Sequence, residues 1–314
     1  MPYREFIKPN TNFDFVRWMK AAVITSAVII LIGIASIIWH GGLNYGIDFA
    51  GGSLVQIKFQ EEPSIDQIRD NLKMIGLENS IIQSYGNYEV VVRTPETRTD
   101  LKGLASRIEA SLSRSYSAGG YEIQRVEVVG PKVGFDLTRK ALLAIFFSWI
   151  GILIYVGFRF EFRYALGGIV SLIHDVLVTV SFLSLLDKEF DLNIVAALLT
   201  IIGFSINDTI VIFDRIRENA RKNVRMNLRE VINISVNQTL SRTILTSFTV
   251  LMVLLVLFFF GGSVIHNFAF TLLIGTIAGV YSTVFIASPI VLVFERIKPA
   301  MMVKSRNKRQ LTPE

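Results

Sequence analysis

The stretch IIGFSINDTIVIFDRIREN, residues 201–219, is an apolar run that holds one aspartate in its interior and then ends in charge. Asp208 is the residue that needs a reason. A carboxylate inside a bilayer costs at least ~2.5–3.5 kcal/mol on insertion scales, so a membrane chain that keeps one has a partner, a water-filled cavity or a task for it. Along the same helix Asn193, Ala196, Ala197, Thr200, Asn207 and Asp208 recur at i, i+3, i+4 and i+7 and share a face. That face is small and polar and is expected to meet protein, leaving Ile194, Leu198, Leu199, Ile201, Ile202 and Ile206 for lipid or packing.

The rest of the composition agrees with a membrane setting. The chain has 314 residues, 51% hydrophobic and 18% charged, with mean hydropathy +0.49. Apolar runs of about bilayer-crossing length occur at 21–39, 141–158, 164–186, 192–213, 244–260 and 268–294, which predicts a polytopic α-helical protein with six transmembrane helices. The first run follows the basic residues Arg4, Lys8, Arg17 and Lys20, as in a signal peptide. Its length, its lack of a small-residue exit and its passage into WHGGLNYGIDFAGG favour a retained helix. Cysteine is absent, which excludes disulfides, thiolate metal sites and cysteine nucleophiles, and three histidines are too few for a metal cluster. No cofactor or metal is expected.

A net charge of +6 and a pI near 9.5 would make nucleic acid a candidate partner for a soluble protein. Here the basic residues flank apolar runs and are read as topology determinants, with no nucleic-acid role. Arg159 and Arg163, the Lys/Arg-rich segment 214–242, and a tail holding Lys298, Lys304, Arg306, Lys308 and Arg309 share one side; the opposite loops, 187–191 and 261–267, hold only Lys188. By the positive-inside rule residues 1–20 and 296–314 are cytoplasmic, and residues 40–139 lie outside. Within the membrane part at 140–295, Val224, Leu228, Val231, Ile232 and Ile234 suggest an amphipathic helix along the cytoplasmic membrane surface, or a solvated loop.

Segment 40–139 has the composition of a soluble α+β domain. Residues 53–60 alternate as a strand does, with Leu54, Ile57 and Phe59 apolar and Gln56 and Lys58 polar. Helical spacing follows at Ile65, Ile68, Leu72 and Ile75, then a hairpin around Gly86-Asn87, then Leu101, Leu104, Ile108 and Leu112, and a last strand at 121–129. The order βαββαβ predicts a ferredoxin-like domain between the first and second transmembrane helices.

The ionisable residues at membrane depth are His174, Asp175, Asp208 and Arg242. Burial and a nearby guanidinium act on the ionisation of Asp208 in opposite senses, which is the setting a titrating carboxylate needs. Arg242, at the start of the fifth span, is either a snorkelling headgroup contact or an ion partner that Asp208 releases on taking a proton. Asp175, beside His174, is either a helix-packing hydrogen-bond acceptor or part of a transport path. Asp214 is read as a helix-end salt-bridge residue. Ser205, Asn207 and Thr209 join Asp208 in offering oxygens, so sodium stands as an alternative coupling ion. Neither aspartate has a Gly-x-Gly-Asp context, and Gly-x-Ser-x-Gly, HExxH and P-loop patterns are missing, which argues against an enzyme.

Five motifs in order then carry a resemblance: LNYGIDFAGG at 43–52, VGPKVG at 129–134, HDV at 174–176, GFSINDTIVIFDRIREN at 203–219 and QTLSRTILTS at 238–247. Together they resemble the SecF family, the smaller partners of SecD in the accessory complex of the Sec protein-export channel. The resemblance implies half of an RND-like transporter in the bacterial cytoplasmic (inner) membrane, with a separate SecD chain, the SecYEG channel, translocating unfolded polypeptide and membrane lipid as partners. It also implies use of the proton-motive force, with Asp208 and Arg242 as the coupling acid and arginine and with Asn207, Thr209, Ser205, His174 and Asp175 in support. Gly46, Asp48, Gly51, Gly52, Gly130 and Pro131 mark either a hinge or fixed turns where the chain passes between membrane and external domain. Phe204 and Ala50 stand where the family often has Tyr and Thr. The alternatives are an RND-type small-molecule transporter half, for which the external domain is small, and a passive scaffold of the translocon.

Overall fold

The computed structural model describes residues 12–85, 88–96, 101–117 and 119–294. The expected turn at residues 86–87, the basic residues Arg4 and Lys8 and the basic tail lie outside the described residues. In chain order the elements are α1 (Phe15–Trp39), α2 (Ile47–Ala50), β1 (Gly52–Phe59), α3 (Ile65–Met74), β2 (Ile81–Tyr85), β3 (Glu89–Thr94), α4 (Leu101–Leu112), β4 (Tyr121–Val129), α5 (Pro131–Arg159), α6 (Phe162–Leu185), α7 (Leu192–Lys222), α8 (Leu228–Phe260) and α9 (Gly262–Ser282). A π-turn at Thr283–Ala287 carries α9 on to Phe294.

Among the described residues six helices are long and apolar enough to cross a bilayer: α1, α5, α6, α7, α8 and α9 with its continuation. Helices α6, α7 and α9 form the middle of the bundle, and α1, α5 and α8 turn most of their apolar surface outward. Close approach needs small residues where lipid supplies no hydrophobic drive. A Cβ on Gly275 of α9 would overlap the Ile201 side chain of α7. The two helices reach this separation because that side chain is missing.

Two expectations are corrected. At 31 and 33 residues, α7 and α8 run about 46–50 Å at 1.5 Å per residue, well beyond the ~30 Å of hydrocarbon. They continue past it as a helical hairpin in which Ile212, Phe213 and Ile216 pack on Val231, Ile232 and Val236. Asn219 donates to Ser235 Oγ at 2.9 Å and to Gln238 Oε1 at 2.8 Å. The apolar residues expected on a membrane-surface helix therefore cover α7 instead, with Val224 exposed in the turn. The second correction concerns the small, polar face of α7. Ala197 and Asp208 are buried in this chain, but Asn193, Ala196, Thr200 and Asn207 are exposed, while Ile194, Val195, Leu198, Ile201 and Ile202 are buried. Within one chain the larger apolar residues win the interior, because they bury more surface per residue.

The segment between α1 and α5 folds as β-α-β-β-α-β, with an antiparallel sheet in the order β2-β3-β1-β4. Val55, Ile57, Phe59, Val90 and Val92 point to α3 and α4 and form the core with Ile68, Leu72, Leu104, Ile108 and Leu112. Leu54 shares the opposite face with Gln56, since side chains alternate along a strand. That face looks onto the ends of the membrane helices, across a small polar cavity lined in part by Gln56, Arg125, Asp191 and Asn193.

Arg93 of β3 fastens the sheet there. It is 5% exposed, lies 3.3 Å from Glu189 in the loop before α7, and donates to Asn44 Oδ1 at 3.3 Å and to the Tyr45 carbonyl at 3.4 Å. Arg93→Met keeps the aliphatic stem and leaves the Glu189 carboxylate buried without its guanidinium. The purified protein is expected to lose about 3–5 kcal/mol of stability, read as a lower melting temperature; an unchanged melt would rule out the clamp. A second prediction concerns Asp191. Burial raises its pKa most, its bonds to Ile194 and Asn193 oppose the rise, and the Asp48 charge adds to it. Between its ordinary and its raised pKa the folded state binds the extra proton, so stability falls as pH rises through that window and is regained on mild acidification. Asp191→Asn should flatten that part of the melting-temperature profile relative to the unsubstituted protein.

Candidate functional site in the membrane helices

The N-terminus of α7 is where the glycine-rich motif after α1 does its work. Asp191 accepts from the Ile194 N–H at 2.9 Å, and Asp48 accepts from the Leu192 N–H at 3.0 Å. Both carboxylates meet orphan donors at the positive end of the helix. The chain is zipped in place by Gly46 N–H to the Phe190 carbonyl at 2.9 Å and Phe190 N–H to the Asn44 carbonyl at 2.7 Å. Gly51 and Gly52 have φ of 73° and 121°, a region that disfavours side chains. A Cβ on Gly52 would also press within 2.5 Å of the Thr94 carbonyl oxygen. Gly52 pairs with Val129, so the start of β1 lies beside the end of β4, where Gly130 and Pro131 open α5. The sequence-predicted hinge residues thus gather at one junction.

Deeper in the bundle Asp208 is 4% exposed, and its Oδ2 has no hydrogen-bond partner among the described residues. Its helix neighbours are engaged. Ser205, one turn back, donates to Asp175 Oδ2 at 2.6 Å. Thr209 Oγ1 lies 3.0 Å from Thr283 Oγ1, at the π-turn of the last span. Asn207 is exposed. The four oxygens considered for sodium are therefore committed to different surroundings.

Arg242 of α8 is exposed, and no ion pair or hydrogen bond joins it to Asp208 among the described residues. Its charge still acts on Asp208 through space. On the same helix Thr243 Oγ1 and Ser247 Oγ, one turn apart, are buried without hydrogen-bond partners among the described residues. An unpaired buried polar group costs about 1–3 kcal/mol, and these three lie on two helices that pack against each other. Chemically, an unpaired carboxylate with a cation in range but out of contact can take up a proton or a cation and exchange one partner for another. Asp214 lies 3.8 Å from Arg159, the last residue of α5, with 57% of its side chain exposed, but α7 runs on to Lys222, so Asp214 is an exposed ion-pair residue within the helix and not at its end.

The fullest polar constellation surrounds Asp175, which is 0% exposed. Its Oδ1 is 3.0 Å from His174 Nδ1, and His174 Nε2 is 2.9 Å from Ser26 Oγ of α1. Ser26 meets the Tyr281 hydroxyl at 3.2 Å, and Tyr281 donates to the Ala22 carbonyl at 2.6 Å. Sequence reasoning missed Ser26, Tyr281, Thr243, Ser247 and Thr283. The available signal was a hydroxyl recurring inside otherwise apolar spans, which alone does not say what it reaches.

Residues 108–297 match the family described as "Protein export membrane protein SecD/SecF, C-terminal", and residues 36–62 match the "SecD/SecF GG Motif". The chain is 44% identical over 300 residues to the protein translocase subunit SecF of Calditerrivibrio nitroreducens, covering 94% of this chain and 98% of that one. It is 41% identical over 285 residues to the SecF of Escherichia coli O157:H7, covering 89% and 87%. Among solved structures it is similar to the translocon-associated membrane protein SecDF from Thermus, with a TM-score of 0.84 and 32% identity over 93% of this chain. It spans 40% of the length of that SecDF chain. A SecDF structure in a super-membrane-facing form, also 32% identical, matches with a TM-score of 0.67 over 94% of this chain and 40% of that one. The six spanning helices, the glycine-rich junction that caps α7 and these likenesses place the chain in the SecD/SecF family of protein-export membrane proteins, as a SecF-type translocase subunit.

Proposed function

We propose that the chain is the proton-coupled subunit of a SecD–SecF complex, assisting export of unfolded polypeptide through the SecYEG channel across the cytoplasmic membrane. The observation that carries this reading is the Asp208 carboxylate, buried with an unpaired oxygen while the Arg242 guanidinium stands in range but apart. Protonation of Asp208 removes the charge that Arg242 answers to, and ionisation restores it. Each proton moving down the membrane potential supplies ~2.3 kcal/mol per 100 mV, enough with several protons to bias two arrangements of packed helices. Asn207, Thr209 and Ser205 shape the helix around the acid, and His174 and Asp175 pack behind it. Both termini are cytoplasmic, and the β-α-β-β-α-β segment is a ferredoxin-like domain on the outer side, where emerging polypeptide is met. Gly46, Asp48, Gly51, Gly52, Gly130 and Pro131 form its hinge.

A separate SecD chain is supported by the face of α7 left open in this chain. Asn193, Ala196, Thr200, Gly203 and Asn207 are exposed at alternating spacings of three and four. Such small, polar stripes let a second helix approach closely, and this one runs beside Asp208.

Asp208→Asn is expected to reduce gradient-dependent export to the level of cells lacking the chain, with SecD association intact on co-purification. Arg242→Gln should do the same. Full stimulation in both variants would instead favour the passive scaffold. Collapsing the proton gradient should abolish the stimulation and collapsing the sodium gradient should leave it; the reverse result would reassign the coupling ion.

A further inference from the structure

The polar chain around Asp175 crosses the bundle. Ser205 belongs to α7 and lies one turn from Asp208; Asp175 and His174 belong to α6; Ser26 belongs to α1. All four are at least nine-tenths buried, at 1%, 0%, 6% and 4% exposure. The contacts run without a break from Ser205 to Asp175 at 2.6 Å, to His174 at 3.0 Å and to Ser26 at 2.9 Å. Between the apolar flanks of the helices these bonds are directional, and a broken one leaves a buried polar atom without water. Helix packing by apolar contact tolerates sliding far better.

Proton accounting makes the chain strict. The Tyr281 hydroxyl spends its proton on the Ala22 carbonyl at 2.6 Å, so toward Ser26 it can only accept. Ser26 has one proton for two acceptors, Tyr281 and, when the imidazole is neutral, His174 Nε2. A neutral ring takes that proton and leaves the Tyr281 contact unmade; a doubly protonated ring releases it to Tyr281. In both forms His174 faces Ser26 on one side and Asp175 on the other. Further along, α1 stays against α6: a Cβ on Gly33 would overlap Ser181, and Ser36 Oγ lies 3.0 Å from Ser184 Oγ. Beyond Trp39, α1 passes through Gly41 and Gly42 to α2 and the first strand of the sheet domain.

We propose that Asp175 and His174 are positioning residues that tie α7 to α1 through Ser205 and Ser26, so that displacement of α7 around Asp208 is passed to the helix that leads into the sheet domain. This rests on Asp208 being the coupling acid. It assigns the transmission to a hydrogen-bonded crosspiece of α6, with the charge change at one end and the external domain at the other.

The natural chain has no cysteine, so spin labels can be placed singly and cleanly. In the complex with SecD in liposomes, one pair at Lys73→Cys and Phe158→Cys reports the sheet domain against the far end of α5. A second pair at Arg221→Cys and Leu245→Cys, both exposed, reports α7 against α8. Asp208→Asn, which removes the charge permanently, is expected to shift the distance distribution of both pairs. In Ser26→Ala and in His174→Leu the local shift persists and the domain shift is lost; His174→Gln, which can still donate and accept, regains it. A domain shift that survives in Ser26→Ala and His174→Leu overturns the proposal. So does an Asp208→Asn substitution that leaves the domain pair unmoved with the crosspiece intact. Export by Asp208→Asn, measured in the same liposomes, judges the coupling role of the acid separately: full export would sink that role whatever the labels read.

Discussion

A polar atom inside a bilayer has no water to fall back on, and this constraint organises the middle of the protein. Ser26 with His174, Ser205 with Asp175 and Thr209 with Thr283 meet it by bonding across helix boundaries, while His174 and Asp175 meet each other within α6. Each interhelical bond joins helices that apolar packing alone would hold less specifically. Among the described residues, the Oδ2 of Asp208 and the hydroxyls of Thr243 and Ser247 are without such partners, as are Trp149 Nε1, Arg163 Nε and Asn267 Oδ1; of these Asp208 is the one carboxylate. Asp208, Thr243 and Ser247 belong to α7 and α8, the two helices that run on together as a hairpin.

The junction with the sheet domain follows the same physics at a wetter level. The loop at residues 187–191 is held between the chain leaving α1 and the sheet, with Glu189 on Arg93, Phe190 zipped to residues 44–46 and Asp191 capping α7. Asp48 caps α7 from the opposite side. One helix therefore takes its N-terminal capping from the strand-forming side of the molecule and carries the candidate acid in its interior. The two glycines at positive φ let the chain turn sharply from α2 into β1 without strain, so the attachment is tight but narrow.

What was legible in the sequence divides along physical lines. The six spans were legible because apolar length is a direct readout of bilayer thickness. Their ends were not, because α7 and α8 continue on residues such as Arg215, Glu218 and Lys222 that favour helix as strongly as the apolar ones do. The strands and helices of the external segment were legible from period two and period three-and-a-half patterns, but its docking through Arg93 was not, since a single buried arginine leaves no periodic trace. Asp208 was visible from its cost alone. Its separation from Arg242 was not, because spacing along a helix fixes which residues share a face and says nothing about the rotation of one helix against another. The small stripe of α7 misled for a related reason: a face that wants protein need not find it in its own chain.

That open stripe bears on why the acid is unpaired. Asn207 is exposed and Asp208 is buried, so the boundary between the interior of this chain and its open face runs between two consecutive residues of α7. A fixed ion pair across a packed interface has to repay the desolvation of both charges and then resists rearrangement, because breaking it strands a buried charge at about 3–5 kcal/mol. Keeping Arg242 at the surface and Asp208 just inside avoids that trap. On the proposed reading the Asp208 carboxylate is answered by a proton, by Arg242 or by a group on whatever covers α7, and none of these partners is locked in place. The crosspiece through Asp175 has the opposite character, with contacts continuous from Ser205 to Ser26 and all four side chains at least nine-tenths buried. In the proposed mechanism, an unpaired charge set against a continuous hydrogen-bonded strut is the combination by which a small electrostatic event near one helix is felt at another.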